Sequence, residues 1–473
     1  MPGPISLFMI WVLCRKECCK RIVKTKKKRL QNLSPVRLIA GGYCLVILLG
    51  TLLLALPFAT AGGNTTPISD CLFTAVSASC VTGLVRFDTA THWTLFGQLV
   101  ILTLIQIGGV GFMTIAMVIM TFTRRKIGLN QRSIMQNSVS APQIGGIIRM
   151  SRFILSGTLL IEGIGALLLS FYFVPRLGKG RGFYYAIFHS ISAFCNAGFD
   201  LMGSRTGPFS SLTGLKGSVY VNVVLMLLIF MGGLGFFVWQ DVLDKKMRYQ
   251  KFALQSKMVL SVSIGLVLIG ALGIFFFEYR QEAFAGMNRA EQITASFFQS
   301  VSARTAGFNT IDLSRMTESS KLLMIMLMLI GGSTGSTAGG MKTTTFWILC
   351  ISIAGTLRRK KNVEAFGRRM EEGITRTASC IFMLYLLITT ISAAVVAAIE
   401  KVPVITALFE TASAMATVGF SFGLTPQVGM VTKSLLMLLM FCGRAGSITI
   451  LMLFASDKGA VNSRLALEKV QVG

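Results

Sequence analysis

Long apolar runs alternate with short polar interruptions along the whole chain. Apolar stretches occupy about 37–59, 95–122, 150–174, 217–240, 257–277, 321–355, 377–399 and 432–455. A bilayer core takes about 20 apolar residues per helix, so this pattern predicts eight spanning helices. Between each odd stretch and the even one after it lies a shorter, moderately apolar segment that ends in glycine. That segment is too short to cross a bilayer and too apolar for a surface loop, which predicts a re-entrant half-helix.

The four short segments align. They read FTAVSASCVTGL (73–84), FHSISAFCNAGF (188–199), FFQSVSARTAGF (297–308) and FETASAMATVGF (409–420). Each has Phe ten residues before its Gly. Three have Ser six before it, and Ser302 in the third comes one place later. The glycines Gly83, Gly198, Gly307 and Gly419 are separated by 115, 109 and 112 residues. This is a fourfold internal repeat, each unit holding two spanning helices and one re-entrant segment. The repeat units are 37–123, 148–242, 256–357 and 375–473, after an N-terminal basic segment, 1–36. The fold class is therefore an all-α integral membrane protein.

Irregular backbone within a bilayer is tolerated only when it is buried in protein or lines a watery cavity. A half-helix aimed at such a cavity offers the partial negative charge of its C-terminus to a cation. The extended chain after it offers carbonyls that can replace the ion's hydration shell. Candidate ion-binding residues are thus Val81, Thr82 and Gly83; Asn196, Ala197 and Gly198; Thr305, Ala306 and Gly307; and Thr417, Val418 and Gly419. Because carbonyls bind the ion, the side chains are free to differ while the glycine stays.

The sixth apolar stretch carries Gly331, Gly332, Ser333, Thr334, Gly335, Ser336, Thr337, Ala338, Gly339, Gly340 and Met341. Each glycine costs a helix roughly 1 kcal/mol relative to Ala, so five in eleven residues predict an intramembrane loop over 331–341. A phosphate-binding loop is excluded there, because Met341 separates Gly340 from Lys342. Lys342 and Arg444 are grouped with this loop as gating candidates. Arg444 lies within an apolar stretch, where a charge is costly and marks function by default. It is expected to pair with loop hydroxyls or carbonyls and to form an electrostatic barrier that loop movement relieves. Arg304 and Glu410, on neighbouring re-entrant segments, are expected to bond to each other and support the filter wall. Glu162 is read as a tie to a neighbouring helix or to Arg149 or Arg152, and His189 as a hydrogen-bonded re-entrant-helix residue. Asp88, Asp200 and Asp312 are candidates for a negative outer mouth.

Composition narrows the function classes. The chain is 53% hydrophobic and 14% charged, with mean hydropathy +0.68 and net charge +27. In a soluble chain this basicity would suggest nucleic acid. Here 32 of the 46 Lys and Arg fall in 15–37, 124–152, 245–257, 342–376 and 458–469, alternating with the segments that hold the re-entrant helices. The positive-inside rule then places both termini in the cytoplasm, with the basic stretches facing anionic lipid rather than nucleic acid. The ten cysteines and two histidines offer no zinc spacing. Cys14, Cys18 and Cys19 sit in the basic N-terminal segment and are read as reduced thiols.

SASCVTGL, SAFCNAGFDL, SARTAGFNTIDL, GGSTGSTAGGMKTTTF, ATVGFSFGLTP and GRAGSITI together resemble the Trk/Ktr/HKT superfamily of cation transporters, most of all the Ktr-type membrane subunit, over residues 33–473. The resemblance implies a pseudo-fourfold pore around one axis, potassium at the filter carbonyls, a gating loop in the third repeat, a homodimer in the cell membrane and a cytosolic nucleotide-binding ring of the KtrA/TrkA type. It implies no cofactor in this chain, any nucleotide being held by the partner, and no catalysis. Gly83 argues for potassium, since the resemblance associates Ser there with sodium permeation. A sodium-permeable or sodium/potassium-coupled transporter is the first alternative. An ATP-driven pump subunit would need a nucleotide or aspartyl-phosphate motif, and none is found.

Overall fold

The computed structural model describes residues 35–63, 65–111, 147–359, 363–371 and 373–446. Most of the N-terminal basic segment with Cys14, Cys18 and Cys19, the basic stretch 124–146 and the chain after 446 lie outside the described residues. What is described is almost entirely helical. The helices are α1 (Pro35–Leu54), α2 (Ile68–Ser79), α3 (Leu95–Val110), α4 (Ile147–Leu177), α5 (Lys179–Cys195), α6 (Val219–Leu234), α7 (Phe236–Asp244), α8 (Leu254–Glu278), α9 (Arg289–Ser302), α10 (Glu318–Leu329), α11 (Thr343–Leu357), α12 (Ile374–Glu400), α13 (Val404–Met415) and α14 (Met430–Ala445). Between α11 and α12 a small hairpin pairs β1 (Glu364–Ala365) with β2 (Arg368–Arg369), antiparallel.

The four re-entrant segments fold as α2, α5, α9 and α13, each buried over its C-terminal half. The surrounding helices turn apolar side chains outward. Leu52, Phe171, Leu272 and Phe276 are all exposed. A surface this apolar is suited to lipid, and the chain is a membrane-spanning protein.

The helices over the eight expected spans, the sixth of them broken as the sequence predicts, differ in length. Among the described residues three helices are each long and apolar enough to cross a bilayer: Arg149–Leu177 within α4, α8 and α12. A bent pair, α6 and α7, makes a fourth by the same measure, with a 92° turn between its halves. The even stretches stop early because of their glycines. α3 ends at Gly111 (φ 89°), α6 at Gly235 (φ 89°) and α14 at Gly446 (φ 94°). A right-handed helix needs φ near −63°, and only glycine enters the positive region at no steric cost. The third repeat breaks differently: α10 ends at Leu329 and α11 begins at Thr343, with the predicted loop between them.

Candidate ion-binding site and gate

The segments expected to form the filter begin where α2, α5, α9 and α13 end. Val81, Asn196, Thr305 and Thr417 have φ of 56°, 60°, 105° and 52°, and the glycine two residues on is also left-handed, at 92°, 70°, 75° and 95°. The repeated serine fixes the turn that follows. Its carbonyl accepts from the backbone N–H of Thr82, Ala197 and Val418 at 2.8 Å, and from that of Ala306 at 2.9 Å. Its hydroxyl latches the extended chain. Ser77 and Ser413 accept from the N–H of Gly83 and Gly419 at 3.1 and 3.0 Å. Ser192 and Ser302 donate to the carbonyls of Phe199 and Phe308 at 2.7 and 2.6 Å.

The third repeat has one residue fewer between its serine and its glycine. The aromatic position is corrected with it: Phe298 is fully buried there, as Phe73, Phe188 and Phe409 are, whereas Phe297 is not. The offset of Ser302 in the sequence is the signal of this slip.

The four glycines meet. A Cβ on Gly83 would come within 2.5 Å of the Ala197 carbonyl oxygen, and one on Gly198 within 2.7 Å of that of Ala306. A Cβ on Gly307 would strike the Val418 oxygen, and one on Gly419 the Thr82 oxygen, closer still. The contacts run from first segment to second, third and fourth, and back to the first. All four glycines line one cavity of about 340 Å³. Asp88 and Asp200 line it as well. Asp312 does not: it is half-exposed and paired with Arg315 at 3.2 Å. Burial, together with the neighbouring Asp88, pushes the Asp200 carboxyl up to about 7, partly offset by the Met202 N–H that it accepts.

Beneath the filter the broken helices and the loop satisfy one another. The last four carbonyls of any helix lack an intrahelical partner. In α6 those of Gly232, Gly233 and Leu234 accept from the Thr337 N–H (3.3 Å), the Ser333 N–H (3.0 Å) and the Ser333 hydroxyl. Phe236 at the start of α7 donates its N–H to Gly335 of the loop at 2.9 Å. Arg444 donates to the carbonyls of Thr337 in the loop and of Gly108 and Gly109 in the last turn of α3. Its expected pairing with loop carbonyls is present. Lys342 spans the loop instead, its Nζ donating to the Ala338 carbonyl at 2.8 Å. Gly331, Gly332, Thr334, Ser336 and Gly340 belong to the same loop, closed at its base by the Gly331 N–H to Met341 carbonyl bond at 2.9 Å. Gly339 lies against Thr417 of the fourth filter segment.

Arg304 and Glu410 do not bond to each other, which corrects that expectation. Arg304 donates to Ser263 on α8 at 3.2 Å and to the Gly331 carbonyl at 3.4 Å. Glu410 accepts from the Ser421 hydroxyl (2.5 Å), the Phe422 N–H (3.2 Å) and the Thr425 hydroxyl (2.8 Å), clamping the chain just after its own filter segment. Each finds its partners within its own neighbourhood, though the Arg304 Nε is buried without one. His189 plays the part of Glu410 in the second repeat. Its Nε2 accepts the Leu201 N–H at 3.4 Å, which leaves Nδ1–H to donate to the Tyr185 carbonyl at 2.8 Å. Glu162 bonds Gln106 on α3 at 3.0 Å and the Cys195 thiol at 3.6 Å, with no bond to Arg149 or Arg152.

One cluster escaped sequence reasoning. Asp70, in the first turn of α2, pairs with Lys433 on α14 and, at 3.4 Å, with Arg86 just after the first filter segment. Arg86 also donates to the carbonyls of Thr425 and Val428, at 3.3 and 3.0 Å. This cluster fastens the first repeat to the fourth. A lysine inside an apolar helix was the available signal, but its partner lies 363 positions away.

Four glycine turns that meet over one cavity, each against a neighbouring segment's carbonyl, are an arrangement that suits a cation and point to the class of ion-transporting membrane proteins. Residues 47–463 match the TrkH family, described as cation transport proteins. The chain belongs to that family. It is 38% identical over 455 residues to the potassium/sodium uptake protein NtpJ of Enterococcus hirae, covering 95% of this chain and 99% of that one. It is also 38% identical over 438 residues to the Ktr system potassium uptake protein B of Bacillus subtilis, covering 92% and 96%. The crystal structure of the potassium transporter TrkH from Vibrio parahaemolyticus has the same fold, with a TM-score of 0.67 at 19% identity over 88% of this chain and 85% of that one.

Proposed function

We propose that this chain is the membrane subunit of a potassium uptake system. Its four repeats, 37–123, 148–242, 256–357 and 375–473, stand in a pseudo-fourfold arrangement around one pore, and potassium binds the carbonyls of residues 81–83, 196–198, 305–307 and 417–419. The observation that carries this reading is the cyclic contact of Gly83, Gly198, Gly307 and Gly419 with the carbonyl of the next segment. Carbonyls held this closely around one cavity can take the place of an ion's hydration shell. The names of the two relatives, both potassium uptake proteins, support the choice of ion.

The loop 331–341, with Lys342 and Arg444, is the gate. Arg444 places a fixed positive charge at a constriction beneath the filter and repels cations until the loop moves. The chain works as a homodimer in the cell membrane, both termini cytoplasmic, and a cytosolic nucleotide-binding ring of the KtrA/TrkA type drives the loop. A second reading, sodium permeation or coupling beside potassium, is favoured by the relative named for both ions. Rubidium and sodium uptake into vesicles, with and without the regulatory ring, tests both. Rubidium flux with little sodium flux is expected. Sodium flux equal to rubidium flux moves the assignment to the second reading, and no rubidium flux under any condition overturns the potassium reading.

A further inference from the structure

Four residues open the filter segments with left-handed backbone: Val81, Asn196, Thr305 and Thr417. Val81 has no polar side chain. The hydroxyls of Thr305 and Thr417 are buried without a partner. Only Asn196 among them makes a side-chain hydrogen bond, and it leaves its own segment to do so. Its Nδ2 donates to the Thr337 hydroxyl of the intramembrane loop at 2.9 Å, while its Oδ1 is buried and unpartnered. The Thr337 hydroxyl in turn donates to the Phe194 carbonyl in the last turn of α5, at 3.1 Å. The backbone of the same residue carries two more bonds, from its N–H to Gly232 of α6 and from Arg444 to its carbonyl. One loop residue therefore touches the second filter segment, its supporting half-helix, the break in α6 and the gating arginine. Asparagine tolerates left-handed backbone, and that alone would explain Asn196. It does not explain why the amide is spent on the loop.

We propose that Asn196 and Thr337 form a latch that holds the intramembrane loop shut against the filter. Asn196 is a positioning residue for the gate as well as a backbone ligand. The proposal rests on the loop being the gate. Opening the loop breaks the amide–hydroxyl bond and strands a buried donor, and that biases the equilibrium toward the closed state.

The test is rubidium uptake by the full chain in liposomes without a regulatory partner. Thr337→Val keeps the side-chain shape and removes the hydroxyl; Asn196→Gly keeps the left-handed backbone and removes the amide. Asn196→Gly is expected to raise uptake about fivefold, the factor for one neutral hydrogen bond, and Thr337→Val, which also loses the bond to Phe194, at least as much. Thr337→Ser, which keeps the hydroxyl, is expected to match wild type. The double variant is expected to match Thr337→Val, since that change already removes the bond that Asn196→Gly breaks. The rubidium-to-sodium ratio is expected to hold in the Thr337 variants. A double variant above Thr337→Val, unchanged single variants, raised uptake in Thr337→Ser or a shifted ion ratio in Thr337→Val each overturns the latch while leaving potassium uptake standing. No flux from wild type overturns the uptake reading, and the latch with it.

Discussion

Asp200 and Asp88 are separated by 112 positions in sequence yet line one cavity above the filter. Asp88 is tied down: its carboxylate accepts the N–H groups of Ala90, Thr91 and Phe209. Asp200 accepts one, from Met202. Its carboxyl is held near 7, well above the ordinary 3.8, first by burial and then by Asp88. A raised carboxyl pKa means that the charge is present above pH 7 and lost below it. Removing one unit of charge ~10 Å from a cation in water costs roughly 0.4 kcal/mol. The KM for rubidium is therefore expected to rise about twofold between pH 8 and pH 6. Asp200→Asn should carry the higher KM at both pH values, and Asp312→Asn should leave the dependence intact. A pH-independent wild-type KM would show that Asp200 does not titrate at the mouth.

At the scale of elements, the sequence made some features plain and hid others, for physical reasons. The short helices before the glycines were legible because Phe, Ser and Gly recur at distances that hold in three segments and slip by one residue in the third repeat, and the loop because five glycines cannot hold a helix. The helix ends at Gly111, Gly235 and Gly446 were hidden: the glycine clusters there read as close helix packing, and the run stays apolar on both sides. Packing is part of the truth, since a Cβ on Gly108, Gly232 or Gly443 would strike the carbonyl of Ser79, Phe194 or Met415 at the end of a half-helix. Which hydrogen bonds Arg304 and Glu410 make was not legible, because short polar side chains and backbone groups supply their partners and carry no pattern. The break in α6 yields a prediction. Gly235 has φ 89°, and a Cβ there would collide with the Ser333 hydroxyl and stand 2.8 Å from the Thr334 carbonyl. Gly235→Ala should push the loop off α6 and raise partner-free rubidium uptake severalfold. Unchanged uptake would mean that docking on α6 does not hold the gate.

For the molecule as a whole, the demanding joint is the one between its two ends. Consecutive repeats are joined by chain, but the fourth reaches the first only through side chains and packing. Asp70, Lys433 and Arg86 make that joint. Breaking a buried pair by removing one partner costs about 3–5 kcal/mol, because a buried charge is stranded. Asp70→Asn, which leaves the buried Lys433 without a counter-charge, should therefore lower the melting temperature of the detergent-solubilised protein by several degrees, and adding Lys433→Met should restore much of the loss. A single variant as stable as wild type would assign that joint to apolar packing and to the bonds that Arg444 and Arg86 make to backbone carbonyls across it.

The order of contacts around the glycines has a direction. Gly83 leans on the second segment's oxygen, Gly198 on the third's, Gly307 on the fourth's and Gly419 on the first's. A side chain grown on any one of them displaces the carbonyl of its downstream neighbour before its own. The residue that is changed and the oxygen that is spoiled thus belong to different quarters of the protein, and a selectivity defect inherited at one position is read out at the next.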